Sequence, residues 1–384
     1  MAAVPYDVVN TEEARALAAG NPLSFLHASR PEIDLPVGTS SFADEVYLRA
    51  TANFDQLRRE APLVLEDAPT VYLYRLSMGA HEQIGVAACF SVEEYDRGQI
   101  LRHERTRLDK EDDRTRHMLG LRAQTGPVFL TYRARPVVDT LVEQVTGTVP
   151  LYDFTAADGV RHTVWRTEEP LAYGIREAFV AVPALYIADG HHRAASAARA
   201  RQRLGGGEPG EWDWFLGVAF PHSQVRILAY NRVVTDLGGH TPDAFLRGLG
   251  GRFTLRDGPA IPERRGEVAM FLGDRWRTIE FGGTTATASP ADRLDVARLQ
   301  DGVLGPLLQI GDVRTDPRID FVGGSRGTTA LEDRVRSGSA AVAFSLHPVS
   351  VEDLMAISDG GGMMPPKSTW FEPKLRDGLL THLI

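Results

Sequence analysis

The sequence predicts a mixed α/β fold, and the central part of the chain gives the clearest indication of it. Short apolar segments of strand-like composition alternate there with helical segments, as at Val128 to Tyr132, Pro136 to Val145 and Ala184 to Ala188. Further along, the pattern predicts a hairpin from Val268 to Phe281 and a strand from Ala341 to Leu346. Alternation of this kind is typical of helices packed in layers against sheets.

The other predicted elements can be taken in chain order. Asn10 and Glu13 have the spacing of a capping box, which predicts a helix from Thr11 to Ala19. A second capping pattern at Ser91 predicts a short helix, and the charged segment from Leu101 through Leu121 is predicted to be helical. The remaining expected strands are Thr70 to Met78, Ile84 to Phe90, His162 to Arg166, Phe215 to Phe220, Val225 to Val234 and Ile319 to Val322; the remaining expected helices are Pro170 to Val180, Ala244 to Leu249, Leu294 to Leu304 and one opened by Ser350 and Asp353.

Length and composition predict two domains. The 384 residues, of which 43% are hydrophobic, are enough for two separate cores, and the composition shifts near residue 235. We therefore expect a first domain at 1–235 and a smaller α/β domain at 236–384.

Charge and cysteine content narrow the class of protein. A formal net charge of -9 argues against a broad nucleic-acid-binding surface, since such surfaces depend on clustered lysine and arginine. One cysteine excludes a disulfide within the chain, which favours a reducing compartment. We see no basic and apolar leader and no apolar run of membrane-spanning length, so we expect a cytoplasmic protein.

The most informative motif is Asp189-Gly190-His191-His192-Arg193, which follows an apolar strand and opens an alanine-rich helix. The first N–H groups of such a helix have no partner within the helix, and they lie at the positive end of its dipole. Basic side chains at the same place favour an anion, and phosphate is the natural ligand. The alternative is that Asp189 merely caps the helix and that the histidines are surface residues.

A second motif lies near the C-terminus, at Pro365-Pro366-Lys367-Ser368-Thr369-Trp370-Phe371. The two prolines exclude a helix, yet the segment carries a lysine, two hydroxyls and two aromatic rings. A loop of this composition either binds a ligand or packs across a domain junction.

With these two motifs the chain resembles a bacterial and archaeal family of proteins of unknown function that includes the free serine kinases. The resemblance extends from Pro5-Tyr6-Asp7-Val8 to Lys374-Leu375. It implies that 1–235 is a catalytic, nucleotide-binding domain similar to the ParB/sulfiredoxin fold with an N-terminal extension, and that the C-terminal loop of 236–384 completes the substrate site. It also implies an activity in which ATP or ADP donates a phosphoryl group to a small hydroxylated acceptor such as serine. Neither the donor nucleotide, the acceptor nor the oligomeric state follows from the sequence.

The resemblance also implies roles for particular residues. Asp189, Gly190, His191, His192 and Arg193 would face the nucleotide phosphates, and Asp189 could hold Mg²⁺ directly or through water. Upstream, the pair His103-Glu104 matches a His-Glu pair whose glutamate acts as base, so Glu104, Asp189 and His191 are the predicted catalytic residues. Lys367, Ser368 and Thr369 would contact the acceptor. Without the resemblance, Glu104 would be interpreted as one more carboxylate on a solvated helix.

The sequence departs from the kinase pattern after Thr369. Where the kinases have an arginine and a histidine, this chain has Trp370 and Phe371, which favour an acceptor larger or less polar than serine. Two rival functions remain in view. A ParB-like nucleotide switch would require a basic recognition helix, and a sulfiredoxin-like reductase would require a cysteine where Gly190 and His191 stand.

Overall fold

The computed structural model describes residues 1–283 and 288–384. They form two compact units: unit 1 comprises Met1–Val225 together with Pro373–Ile384, and unit 2 comprises Arg226–Glu372. None of the helices in the described part of the chain combines the length and apolar character needed to cross a membrane.

The helices and strands are numbered in chain order. In residues 1–225 they are α1 (Thr11–Ala18), α2 (Leu26–Ser29), α3 (Asp44–Glu60), β1 (Val71–Met78), β2 (His81–Ser91), α4 (Val92–Asp96), β3 (Ile100–Leu101), α5 (Leu108–Leu121), β4 (Ala123–Gln124), β5 (Val128–Tyr132), α6 (Pro136–Thr146), β6 (Tyr152–Thr155), β7 (Arg161–Thr167), α7 (Leu171–Val180), β8 (Leu185–Asp189), α8 (His191–Leu204) and β9 (Trp214–Pro221). In residues 226–384 they are β10 (Ile227–Leu228), β11 (Tyr230–Val234), α9 (Pro242–Gly250), β12 (Thr254–Asp257), β13 (Glu267–Leu272), β14 (Arg275–Glu280), α10 (Asp295–Leu299), β15 (Ile319–Gly323), α11 (Thr329–Arg336), β16 (Val342–Leu346), α12 (Val351–Asp359), β17 (Trp370–Phe371) and β18 (His382–Leu383).

Unit 1 is built on an eight-stranded sheet in the order β3-β8-β5-β9-β2-β1-β7-β6. The pairs β3–β8 and β5–β9 are parallel, and the other pairs are antiparallel. Apolar side chains from the central strands pack against alanines of α8, and α5 packs against α8. Because β3 lies beside β8, the segment after β3 is brought next to the start of α8.

Unit 2 contains an antiparallel six-stranded sheet in the order β12-β14-β13-β16-β11-β15. The short strand β17 pairs separately with β10, which fixes the last part of the Pro365–Phe371 segment within this unit. Together the two units form an α+β fold, and the mixed class expected from the sequence is confirmed.

Most of the predicted elements are present, and several of their caps are too. Asn10 and Glu13 form the reciprocal capping box of α1, and Ser350 and Asp353 form that of α12. Two expectations are wrong. Residues 44–60 form the 17-residue helix α3, although no helix was predicted between Ala19 and Thr70, and residues 102–107 form a loop instead of the start of a helix.

The compact units differ from the contiguous division at residue 235. The last residues return to unit 1, where Ala3 and Asp377 exchange backbone hydrogen bonds and β18 pairs with β4. The pair β18–β4 is a separate two-stranded sheet, and together with the Ala3–Asp377 bridge it holds the C-terminal segment on unit 1. The catalytic and substrate-binding roles expected for 1–235 and 236–384 stay predictions.

Candidate functional site in unit 1

The turn between β8 and α8 is the first feature of the candidate site. Gly190 has a φ of 92°, in the left-handed region, and no side chain caps α8 by hydrogen bonding. A Cβ at Gly190 would lie 3.4 Å from both Val128 Cα and Arg193 Cδ, which leaves little room for a larger residue. The chain therefore enters α8 abruptly, and no side-chain oxygen caps the amides of its first turn, although the amide of Arg193 donates to the carbonyl oxygen of Gly190.

The loop after β3 meets this helix start. The backbone N–H of His103 donates to Nε2 of His191 at 3.4 Å, and the backbone N–H of Arg107 donates to Nε2 of His192 at 3.0 Å. The rings of His103 and His191 lie with their centroids 4.4 Å apart and nearly perpendicular. Two segments that the sequence singled out separately are thus in direct contact.

The two facing histidines are uncharged at neutral pH. Burial lowers the pKa of His103 to about 4, despite a hydrogen bond to the backbone of Ile187. Burial, followed by the proximity of His103, holds the pKa of His191 well below its usual range. The expectation that His191 helps to neutralise phosphate charge therefore has to be revised, because a neutral imidazole can donate a hydrogen bond or bind a metal but carries no charge.

His103, Glu104 and His191 could together hold a divalent metal ion. One potential ligand atom of each lies within 4.8 Å of the others. Two neutral imidazoles and a carboxylate are ligands that zinc and other transition metals accept. Because Nε2 of His191 already accepts the amide of His103, a metal bound there would require that hydrogen bond to rearrange.

Asp189, the predicted Mg²⁺ ligand, is held by an ion pair. Its Oδ2 accepts a hydrogen bond from Lys374 Nζ at 2.8 Å, and its Oδ1 accepts one from the amide of Gly190 at 2.9 Å. Burial opposes ionisation, but the charges of Lys374 and Arg193 keep the pKa of Asp189 well below its usual range. Asp189 is therefore a carboxylate, and direct coordination of a metal through Oδ2 would displace Lys374.

Arg193 lies mostly inside the unit, with 8% of its surface exposed. Its Nη1 donates to the carbonyl oxygen of Pro127 at 2.8 Å, and its Nη2 donates to the two carboxylate oxygens of Asp7 at 3.1 and 3.2 Å. These bonds attach the N-terminal segment to α8. For Arg193 to bind phosphate, as predicted, it would have to exchange its contact with Asp7 for one with the ligand.

Asp377 is a buried acid that lines the same cavity as Arg193. Asp377 is 2% exposed, and its Oδ1 has no hydrogen-bond partner among the described residues. It lines a cavity of about 40 Å³ together with Arg193, Arg114 and Tyr6. Burial raises the pKa of Asp377 to about 7, although the charge of Arg193 opposes the shift. The carboxyl group therefore titrates near neutral pH.

The predicted acceptor residues belong to unit 2. Lys367 is exposed, Ser368 is buried and Thr369 is half-buried. They belong to a different compact unit from the Asp189–Arg193 turn, and their role in holding the acceptor stays a prediction. Trp370 packs edge-on against Tyr230 with centroids 5.1 Å apart, and Phe371 is buried. The two aromatic side chains thus have a packing function inside unit 2.

Sequence reasoning missed three residues of the unit 1 site: Asp7, Lys374 and Asp377. Asp7 and Lys374 do lie in the two short segments, towards either end of the chain, between which the family resemblance extends. The signal was therefore present, but nothing in the local sequence indicated that both ends meet the start of α8.

Comparison with known proteins supports the family assignment. A family model described as a protein of unknown function, DUF1015, matches residues 1–297. The chain belongs to this family. The membership predicted from the sequence motifs is thus confirmed. No curated protein matches this chain.

The solved structures that are similar to this DUF1015 member include the following three proteins. A free serine kinase in complex with AMP is 14% identical, covering 80% of this chain and 91% of that chain, with a TM-score of 0.38. SbnI with a C-terminal truncation from Staphylococcus aureus is 12% identical, covering 76% and 85%, with a TM-score of 0.41. A conserved hypothetical protein from Pyrococcus furiosus is 13% identical, covering 82% and 96%, with a TM-score of 0.37.

We predict that Arg193→Ala lowers the free energy of unfolding by about 3 kcal/mol, because the change leaves Asp7 and the carbonyl of Pro127 without their charged partner. Urea denaturation followed by circular dichroism measures the loss. Arg176→Ala is the matched control: Arg176 pairs with Glu169 on the surface of unit 1, and its loss should cost less than about 1 kcal/mol. Equal losses in the two variants would contradict a structural role for the buried ion pair.

We also predict that Asp377 makes the stability of the protein depend on pH. Its pKa in the folded state lies above that of an unfolded aspartate, so its contribution is complete below about pH 4 and is lost as the pH rises through about 7. Asp377→Asn removes this loss. The variant should gain stability relative to the wild type as the pH rises from about 5 to about 8, by at most about 4 kcal/mol.

Urea titrations of both proteins across that pH range provide the measurement. Taking the difference between the two proteins cancels the buried histidines His103, His117, His162 and His191, whose lowered pKa values make stability fall at acidic pH. A difference that stays constant across the range would show that Asp377 is ionised throughout.

Proposed function

We propose that this protein is a nucleotide-dependent phosphotransferase that uses ATP or ADP to phosphorylate a small hydroxylated acceptor, with free L-serine the first candidate. The observation that carries the proposal is the contact between the His103-Glu104 loop and the Asp189–Arg193 turn. Residues 88 positions apart in the chain place an acid, two neutral imidazoles and a helix start beside one another. A phosphoryl-transfer site requires these parts together: anion donors, a base and a position for charge neutralisation.

The nucleotide phosphates are proposed to bind at the start of α8. The first amides of this helix have no capping side chain, and the helix dipole favours negative charge there. The neutral imidazole of His191 and the imidazole of His192 can add hydrogen bonds to phosphate oxygens. Positive charge has to come from elsewhere, and Lys374 and Arg193 are the cations that already lie beside Asp189.

Mg²⁺ bound to the phosphates would neutralise part of the charge that develops during transfer. Asp189 can approach such an ion through a water molecule while it keeps its ion pair with Lys374, whereas direct coordination would break the pair. Glu104 can also contribute an oxygen, since its carboxylate lies within 4.8 Å of ring nitrogens of His103 and His191.

Glu104 is proposed to act as the general base that accepts the proton of the acceptor hydroxyl. It is half-buried and lies in the loop between β3 and α5, next to the buried His103. A base in a fixed loop beside the phosphate site can orient the acceptor hydroxyl and remove its proton as the new O–P bond forms. Glu104 does not lie on a helix, because α5 begins only at Leu108. The alternative that Glu104 is a carboxylate on a solvated helix is therefore wrong.

The direct test combines each nucleotide with a panel of acceptors. Purified full-length protein is incubated with Mg²⁺ and either ATP or ADP, together with L-serine, L-threonine, D-glycerate or glycerol. Mass spectrometry then detects the phosphorylated acceptor. We expect one nucleotide to yield a phosphorylated product from at least one acceptor. Nucleotide hydrolysis without any phosphorylated acceptor would contradict the proposal and would favour the ParB-like switch.

We predict that Glu104→Gln lowers turnover by roughly 10²–10⁴-fold and leaves nucleotide affinity nearly unchanged, because a base acts on the proton in transit and not on the bound nucleotide. Initial rates of product formation and calorimetric nucleotide titrations measure the two effects.

Glu177→Gln provides the control for this variant, since Glu177 is an exposed carboxylate on α7. It should retain wild-type turnover. Undiminished turnover in Glu104→Gln, or an equal loss of affinity and turnover, would remove Glu104 from the role of base.

A further inference from the structure

Arg232 on β11 is a buried guanidinium without a carboxylate partner. Only 2% of its surface is exposed, and none of the described carboxylates forms an ion pair with it or raises its pKa. Burial lowers the pKa of Arg232 to about 10, and the Tyr230 hydroxyl opposes the shift. A buried charge of this kind is costly unless another charge or a set of hydrogen bonds compensates it.

The other buried arginines of the described chain are compensated differently. Arg193 pairs with Asp7, and Arg376 pairs with Asp158. Arg232 instead donates to the backbone carbonyl oxygens of Tyr230, Pro366 and Lys367. A guanidinium has five N–H donors, so after three carbonyl oxygens at least two donors remain for a ligand.

The surroundings of Arg232 are those of a small binding site within unit 2. Arg232, Ser368, His347 and Tyr230 line a cavity of about 10 Å³, the space of about one oxygen atom or water. Arg265 and the buried Asp295 also line it, and both carboxylate oxygens of Asp295 accept from the amide of Gly266. Tyr230 and His347 are half-buried, so the cavity adjoins the surface. The Nζ of Lys367 lies 5.6 Å from the ring centroid of Tyr230. Tyr230 is also the residue whose backbone carbonyl accepts a hydrogen bond from Arg232.

The loop that provides these contacts is held in an unusual conformation. Lys367 has a φ of 59°, in the left-handed region, and Ser368 Oγ donates to the carbonyl of Pro365 at 2.5 Å. Non-glycine residues keep such a conformation only when surrounding contacts impose it. Here the contacts are the bonds from Arg232 to the carbonyls of Pro366 and Lys367, so the same guanidinium shapes the loop and supplies its charge.

We propose that Arg232 forms the base of a binding site for a small oxyanion, a carboxylate or phosphate group, within unit 2. One oxygen of the anion occupies the cavity and accepts from the remaining guanidinium donors, and the rest of the molecule extends towards Lys367 and the solvent. The site supplies the missing counter-charge of Arg232. It lies wholly in unit 2 and does not depend on the phosphoryl transfer proposed for unit 1.

The test titrates malonate, inorganic phosphate and acetamide, an uncharged carbonyl compound, into the full-length protein at constant ionic strength. Calorimetry measures the affinity of wild type, Arg232→Gln and the control Arg277→Gln, which removes a unit 2 guanidinium that also donates to a backbone carbonyl but lies outside the cavity. Saturable binding of malonate alone would identify a carboxylate site, and binding of phosphate alone a phosphate site.

We expect at least one anion to bind the wild type and Arg277→Gln alike, with roughly 10- to 100-fold weaker binding in Arg232→Gln and no binding of acetamide. If Arg232→Gln does not fold, arginine-selective ¹⁵N labelling of the wild type replaces it, and the Nε–H signal of Arg232 should shift on titration. Absence of saturable binding, binding that survives in Arg232→Gln, or an unmoved Arg232 signal would overturn the proposal.

Discussion

A chain of alternating charges around the start of α8 connects both ends of the polypeptide to its middle. Lys374 pairs with Asp189, Arg193 pairs with Asp7, and Asp189 and Arg193 interact across the Gly190 turn. Each charge is compensated by the next, so the cluster can be buried at tolerable cost. Removal of one member would leave its neighbour without a partner in a low-dielectric region, where an unpaired charge is strongly unfavourable. The placement of the candidate site residues therefore depends on this cluster.

The cluster also determines which groups could serve an anion. The nearby histidines contribute no charge, because the buried rings of His103 and His191 remain neutral and their hydrogen bonds hold the loop after β3 against the helix. Positive charge comes from Lys374 and Arg193, both already paired with carboxylates. An incoming phosphate would thus compete with Asp189 or Asp7 for these cations. Such competition couples ligand binding to the contacts of the two terminal segments, since the same ion pairs hold those segments to α8.

In unit 2 the side chain of Arg232 holds two chain segments together through hydrogen bonds instead of ion pairs. Arg232 has no acid to pair with, and its guanidinium is bonded to main-chain carbonyls of its own strand and of the Pro365–Phe371 segment. Trp370 and Phe371, which the sequence analysis considered as contacts for an acceptor, instead complete the packing around Tyr230 and the β10–β17 pair. Their apolar area contributes to packing within the unit, and the expectation of a larger or less polar acceptor stays a prediction.

The sequence by itself determined the local features whose causes are local. Capping residues at Asn10 and Ser350 start helices because their side chains bond amides three residues away, and the left-handed turn at Gly190 follows from the one residue that accepts it at low cost. The family membership could also be predicted, since it depends on short motifs. Only the tertiary structure decided that Asp7, Lys374 and Asp377 meet Arg193 and Asp189, that residues 102–107 form a loop, and that Arg232 is buried without an acid. These are consequences of strand order and chain return, which bring together residues more than 100 positions apart, such as Asp7 and Arg193 at a separation of 186, and no short-range pattern encodes such a contact.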